Sequence, residues 1–376
     1  MTTDADIIDQ PRTVRPGEEL DVAALEAYLT REIPGLEGAL EVDQFGNGFS
    51  NLTYLLRVGD RELVLRRPPF GVKIRSAHDM GREYRILSHL ATVYPKVPRT
   101  LAYCADESVL GAPFYVMERL RGVILRATPP AGVDLDPERM RAISEAFIDN
   151  MVVIHGVDYE AAGLGDLGRP RGYVERQITG WAGRYEKART DDVPEIEHVA
   201  AWLLDHRPAE SIADVAASLI HNDYKYDNLV LDPADLSRIL AVLDWEMSTI
   251  GDPLMDLGAT LAYWVEPGDG DALQALQVGL TVLPGNPRRD ALVQRYARQS
   301  GRDVTEERMV FYYVFGLFKN AVVAQQIYAR YKAGHSTDER FALLPVSIKA
   351  LGQRAEQALR RNRLRACLQS HFSPVR

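Results

Sequence analysis

His221-Asn-Asp-Tyr-Lys-Tyr-Asp-Asn228, with Leu243-Asp-Trp-Glu246 downstream, decides how this chain is read. As a pattern the first stretch is H-x-D-x-K-x-x-N, and Asp244 adds a second acidic position at the end of an apolar run. Phosphoryl transfer from ATP needs a carboxylate beside the attacking hydroxyl. It also needs an Asn and an Asp that hold Mg2+ against the phosphates. Ser218-Leu-Ile220 is a short apolar lead-in, Leu229-Val-Leu231 a β-type run, and Asp232-Pro-Ala-Asp235 a turn. Ile239 to Leu243 then reads as a second buried strand that delivers Asp244 at its end. Loop, hairpin and strand end together are expected to gather Asp223, Asn228 and Asp244 around one point. A polar loop with capping carboxylates would not require so many residue types in register.

Working outward, 376 residues exceed a typical single domain, so two lobes are expected. An apolar content of 46% with 26% charged residues is that of an ordinary globular protein. A net charge of −9 repels polyanions and argues against a nucleic-acid partner. Cys104 and Cys367 lie far apart without metal-ligand spacing and read as reduced thiols of a cytoplasmic protein. The start, MTTDADIIDQ, lacks the apolar core of a signal peptide. The longest apolar run, Met309 to Phe318, stops at Lys319-Asn320, too short for a membrane span, and reads as a buried helix. No membrane partner is expected, and the oligomeric state is not legible.

Residues 1–18 are polar and read as a loose arm. Val22, Leu25 and Leu29 have helical spacing ahead of Pro34-Gly35. Strands are expected over Leu40–Phe45, Thr53–Val58 and Glu62–Arg66, the last two joined by a Gly59-Asp60 hairpin turn. Ala77–Tyr94 reads as a helix and Phe114–Leu120 as another buried strand. Beyond Gly122 the pattern is helical: Pro137–His155, Gly172–Ala188, Glu195–His206, Leu254–Trp264, Arg289–Ser300, Glu306–Lys332 and Val346–Leu364. The expected fold class is α+β, a β-rich lobe over residues 1–120 and a mostly helical lobe over 121–376 with a cleft between them.

The loop Gly46-Asn-Gly-Phe-Ser-Asn51 sits between two strands, so it is neither a Rossmann nor a Walker loop, each of which opens a helix. Glycines there let backbone N–H groups approach phosphates closely; Gly46, Gly48, Ser50 and Asn51 are the candidates. Leu63-Val-Leu-Arg66 stands where a kinase carries V-A-I-K, with Arg66 in the lysine place and Val64 on the same strand face, toward adenine. A guanidinium can grip two phosphate oxygens at once. Glu83, on the expected helix, is the candidate partner of Arg66, while Arg67 points to the opposite face. Met117-Glu118-Arg119 ends a strand whose backbone could read the adenine edge.

These motifs resemble the aminoglycoside phosphotransferase/choline kinase-like family, a branch of the protein-kinase-like fold. Within it the chain looks most like the bacterial phosphotransferases related to the kinase-like domain of acyl-CoA dehydrogenase family members 10 and 11. The resemblance is carried by Gly46–Asn51 with Thr53-Tyr54, Leu63–Arg66 with Pro68-Pro69, Gly81-Arg-Glu83, Phe114–Glu118, His221–Asn228, Asp244-Trp-Glu246 and Gly251-Asp-Pro-Leu-Met-Asp256. It implies a bilobal protein-kinase-like fold and ATP- and Mg2+-dependent transfer of the γ-phosphoryl group to a hydroxyl of a small molecule, aminoglycoside-like or hydroxyacyl. Asp223 would take the acceptor proton, Lys225 would offset charge on the transferring group, and Asn228 and Asp244 would bind Mg2+. Asp252 and Asp256 would brace the catalytic loop. The interval between Asp244 and Asp252 is too short for a peptide-docking segment, which points to a small-molecule acceptor. Tyr173, Trp181, Tyr185, Tyr312, Tyr313 and Gln325 are candidate acceptor contacts. A nucleotide-binding pseudokinase with a regulatory or scaffolding role is the alternative.

Overall fold

Along the chain, α1 (Val22–Glu32) leads into β1 (Leu40–Gln44), β2 (Leu52–Val58) and β3 (Arg61–Arg67). Next come α2 (Met80–Leu90), β4 (Thr100–Cys104), the single turn α3 (Glu107–Leu110) and β5 (Phe114–Glu118). They are followed by α4 (Pro137–His155), α5 (Tyr173–Ala188), α6 (Pro194–Asp205), β6 (Ser218–Ile220), β7 (Leu229–Leu231), β8 (Ile239–Val242) and β9 (Thr249–Gly251). Then α7 (Pro253–Tyr263), α8 (Asp271–Gln274), α9 (Arg289–Ser300), α10 (Glu306–Lys332) and α11 (Leu344–Arg361) complete the order. This computed structural model describes residues 8–46, 51–70, 79–208, 216–336 and 338–365. Gly48 and Ser50 of the glycine loop lie outside the described residues, as do Ala77 and His78 of the expected helix.

Two compact units result: Met1–Ile124 with Asp158–Leu164 and Asn228–Met247, and Leu125–Val157 with Gly165–Asp227 and Ser248–Arg376. The first is built on an antiparallel sheet of order β1-β2-β3-β5-β4. Its β2–β3 hairpin closes over Gly59 and Asp60, with Val58 paired to Arg61. Gly59 has φ +60, the left-handed backbone that the first central position of such a tight turn needs. One sheet face buries Tyr54, Leu56, Leu63, Leu65, Phe114 and Val116 against Leu25, Tyr28 and Leu29 of α1. Those three recur at helical spacing, and Asp21 caps the helix by accepting from the Ala24 N–H. Each such side chain, fully buried, contributes about 1.5–3 kcal/mol.

The hairpin of β7 and β8 belongs to this unit because the backbone ties it there. Val123 and Leu231 exchange N–H···O bonds of 2.9 Å, and the Val242 N–H donates to the Lys96 carbonyl at 2.9 Å. The first-lobe arm is not loose over its described part. Arg12 and Gln44 exchange backbone bonds of 2.7 and 2.8 Å, and the Glu18 carbonyl accepts from the Tyr54 hydroxyl. The cause is β1, an edge strand whose free N–H and C=O groups recruit the segment. The helix expected over Ala77–Tyr94 is shorter, Met80–Leu90, starting at the Asp79 cap. Strand β4, not anticipated, pairs with β5 through a register shift.

In the second unit β6 and β9 form a two-stranded ribbon, Ser218 opposite Gly251 and Ile220 opposite Thr249. Asp252 then caps α7 by accepting from the Leu254 N–H at 2.8 Å. Helices α7 and α10 cross closely. A Cβ on Gly258 would lie 2.3 Å from the Tyr312 carbonyl oxygen, and one on Gly316 would lie 2.5 Å from the Gly258 carbonyl oxygen. Only glycine on both helices permits that approach. Among the described residues no helix is long and apolar enough to cross a membrane.

Candidate active site

Within the first unit, the alternation of β3 sends Leu63 and Leu65 into the core against α1 and puts Val64 and Arg66 on the other face. Val64 pairs with Met117 and Arg66 with Tyr115, so Val64, Met117 and Arg66 share that face. Arg66 Nη1 donates to Glu83 Oε1 at 2.8 Å and Nη2 to Asp244 Oδ1 at 2.9 Å. Glu83 is fully buried and Arg66 nearly so. Burial works against the Arg66 charge, but Glu83 and Asp244 beside it hold the guanidinium protonated, well above its ordinary range. A guanidinium suits this position because its planar fork serves two carboxylates at once.

Asp244 has φ +67, a left-handed backbone without glycine. Such residues cost of order 1–3 kcal/mol and persist where the surroundings over-determine them. Here the Leu243 N–H donates to the Asn228 carbonyl at 2.8 Å, and the fully buried Trp245 gives its indole N–H to the Val242 carbonyl at 2.9 Å. These two bonds fix the chain immediately before and after Asp244 and tie it to Asn228. Glu246 accepts from Asn51 Nδ2 at 2.6 Å, and its carbonyl accepts from Arg82 Nη1 at 2.7 Å. Asn51 is thus fastened at the foot of the glycine loop, and Gly46 stands at its other end. At the end of β5, Glu118 accepts from the Arg99 N–H at 2.9 Å and gives its own N–H to the Arg99 carbonyl. Arg119 pairs with Glu62 at 2.8 Å.

Within the second unit, the loop after β6 carries Asp223 and Lys225, whose ammonium donates to Asp223 Oδ2 at 2.8 Å. Burial lowers the Lys225 pKa, but Asp223, Tyr263 and Asp227 outweigh it and the net direction is upward. Burial pushes the Asp227 carboxyl up to about 6, against the pull of Lys225. Burial raises the Tyr263 phenol too, and its bond to Asp223 adds to that. The loop is held from below by Asp256 in the first turn of α7. Its Oδ2 accepts from the His221 N–H and its Oδ1 from the Asn222 N–H, both at 2.7 Å. His155 Nε2 lies 3.1 Å from Oδ2. Burial by itself would raise the Asp256 carboxyl. The His155 bond and the two histidines outweigh it and hold the group below its usual value of 3.8.

Asp252 therefore caps α7, while Asp256 braces the loop, the role that the resemblance implies for both. Sequence reasoning missed Tyr263, and it missed Lys319, whose ammonium donates to the Asn222 carbonyl at 2.8 Å. The signal for Lys319 was present: a lysine directly after a ten-residue apolar run, inside one continuous helix. The proposed acceptor aromatics are core residues. Tyr173, Trp181, Tyr185, Tyr312 and Tyr313 are all buried, Tyr313 with the guanidinium carbons of Arg289 and Arg354 at 5.0 and 5.4 Å from its ring centre. Gln325 donates to the Ala188 carbonyl and to Thr190 Oγ1, both at 2.9 Å.

Among the described residues no group of three or more His, Cys, Asp or Glu side chains is arranged to hold a metal alone. Asn228 carries an amide oxygen and Asp244 a carboxylate, and the Leu243 N–H bond to the Asn228 carbonyl ties the two segments; hard oxygen donors of this kind are the type that Mg2+ accepts.

Residues 41–292 match the family model described as the phosphotransferase enzyme family. Acyl-CoA dehydrogenase family member 11 of Gallus gallus is 34% identical over 354 residues, 93% of this chain and 44% of that protein, so the chain spans less than half of this relative's length. An inferred aminoglycoside phosphotransferase of Ralstonia eutropha JMP134, whose crystal structure is known, is similar with a TM-score of 0.74 and 32% identity, covering 90% of this chain and 99% of that one. Choline kinase from Cryptosporidium parvum Iowa II superposes with a TM-score of 0.56 over 89% of this chain and 99% of its own at 15% identity, a likeness of fold alone.

Proposed function

The chain belongs to the phosphotransferase enzyme family, with a kinase-like α+β fold, and from that premise we propose that it transfers the γ-phosphoryl group of ATP to a hydroxyl of a small molecule. The observation that carries the reading is the Arg66 guanidinium bridging Glu83 and Asp244, the cation–carboxylate arrangement that kinase-type phosphate sites are built around. Arg66 would steady the phosphates, with Gly46, Gly48, Ser50 and Asn51 supplying the loop over them. Val64 and Met117 would offer an apolar wall to adenine, whose edge would meet the backbone of Met117, Glu118 and Arg119. Asn228 and Asp244 would hold Mg2+, which when bound neutralises charge on the phosphates.

Asp223 would orient the acceptor hydroxyl and take its proton, and Lys225 would temper charge as the phosphoryl group moves. The acceptor is proposed to be aminoglycoside-like, as the name of the Ralstonia neighbour suggests, or a hydroxyacyl compound, as the acyl-CoA dehydrogenase names suggest. The reaction is proposed to run in the cytoplasm.

The test is ADP formation against a panel of hydroxylated acceptors with wild type and Asp223→Asn. Transfer should fall by roughly a hundredfold or more, the scale of a lost general base, while ATP affinity and thermal stability stay near wild type. Unchanged turnover would remove Asp223 from the chemistry. A wild-type chain that binds ATP and phosphorylates nothing on the panel would favour a pseudokinase.

A further inference from the structure

Lys319 lies on α10 at the end of a stretch in which every residue from Tyr312 to Phe318 is buried, and it is itself only 7% exposed. An ammonium in such surroundings is expensive unless something claims it. Its claimant is the Asn222 carbonyl, 2.8 Å away, with the Trp181 ring centre at 5.8 Å. Burial lowers its pKa, opposed by Asp223 and Asp256 and assisted by Lys225 and Arg184.

Asn222 has φ +66, a left-handed backbone that a side chain with a Cβ rarely adopts. Its N–H is taken by Asp256 of α7, and its side-chain Oδ1 accepts from the Tyr173 hydroxyl of α5 at 3.3 Å. Its carbonyl shares one rigid peptide plane with the N–H of Asp223, which donates to His221 Nδ1 at 3.2 Å. Lys319 therefore grips one edge of the plane on which Asp223 hangs, and His221 grips the other. The Gly258–Gly316 crossing, one turn before Lys319, brings α10 close enough for the ammonium to reach it.

We propose that Lys319 is a positioning residue: its ammonium locks the Asn222–Asp223 peptide in the left-handed loop geometry that aims the Asp223 carboxylate. The proposal rests on the phosphotransferase reading for its functional consequence, but the locking itself is a structural claim. The hydrogen bond that Lys319 makes goes to the loop backbone, so its removal disturbs the carboxylate's aim and leaves ATP binding to other residues.

The experiment compares wild type, Lys319→Met, Lys319→Gln and Lys319→Arg as full chains. Amide hydrogen exchange at residues 221–225 is read together with kcat and the KM for ATP. In Lys319→Met, exchange at Asp223 should rise at least tenfold while strands β2, β3 and β5 keep wild-type protection. Transfer kcat should fall at least tenfold, the KM for ATP should stay within about twofold, and Lys319→Arg should recover most of kcat. If Lys319→Met does not fold, Lys319→Gln, which keeps a donor and loses the charge, answers the same question. Unchanged exchange at Asp223 overturns the proposal. So does exchange that rises throughout the chain with kcat and KM moving together, which would make Lys319 a packing residue. A wild-type chain that transfers no phosphate, with exchange still rising locally in the variant, refutes the phosphotransferase reading and upholds the lock.

Discussion

Arg66 and Arg67 are neighbours on one strand, both buried, and chemically they live apart. Arg66 is claimed by two carboxylates. Arg67 gives its Nε to the Pro68 carbonyl and lies 3.6 Å from the Phe70 ring centre, a stacked cation whose pKa burial lowers. Arg66→Ala would strand the buried Glu83 without a counter-charge, which costs about 3–5 kcal/mol, whereas Arg67→Ala forfeits a cation–π contact worth about 0.5–2 kcal/mol. Urea unfolding should rank the two that way, and calorimetric ATP titration should show the loss only in Arg66→Ala. The opposite ranking would mean that Arg67 is the cation of the phosphate site. The face of Arg66 was legible because a strand has a strict period of two. The backbone of Asp244 was not, since nothing in Leu-Asp-Trp-Glu declares a left-handed aspartate. Nor was the Asn51–Glu246 bond, whose partners are far apart in sequence and meet only once the fold exists.

At the scale of elements, the loop of Asp223 is as stable as its brace to α7. Asp256 has a folded pKa below its unfolded value of 3.8, so its contribution is fully present above that value and is lost as pH falls through the folded one. Asp256→Asn removes that part of the acid limb. Its unfolding free energy from urea titration should be lower than wild type at pH 7, by the roughly 3–5 kcal/mol that breaking a buried charged pair costs, and the gap should narrow below about pH 4. An Asn variant that tracks wild type at every pH would show that the brace is neutral. Helices were read well where their ends carry chemistry. Pro137–His155 begins at an Asp cap with proline in its first turn, and Arg289–Ser300 stops at a left-handed Gly301. Strands β4 and β9 escaped because a bulged strand and a three-residue strand have too little period to read, and exist by virtue of their partners.

For the molecule as a whole, a net charge of −9 makes a triphosphate an unwelcome guest except where cations are concentrated, so nucleotide binding should depend on the metal that accompanies it. At a hundred times its Kd, Mg2+–ATP should stabilise the chain by about 2.7 kcal/mol. Thermal scans should show that upward shift with Mg2+, little of it with EDTA, and none in Asp244→Ala. A full shift without metal would take Asn228 and Asp244 out of the metal site. The division into a sheet-rich beginning and a helical remainder was visible from composition and period. That the hairpin of β7 and β8 belongs with the sheet was not, because it depends on the pairing of Val123 with Leu231.

That membership has a consequence for the order in which the molecule is made. The first unit is assembled from three stretches of chain, and its last residue is Met247. A ribosome adding about 5–20 residues per second delivers Ile124 many seconds before Met247. During that interval the sheet waits without the strand that Val123 pairs with and without Trp245, the aromatic that closes on Tyr94. Synthesis of the helical unit is thus already under way before the sheet-bearing unit can be completed. Through that delay the nascent sheet keeps an unpaired edge and uncovered apolar surface, the features that make a partly made chain prone to aggregate.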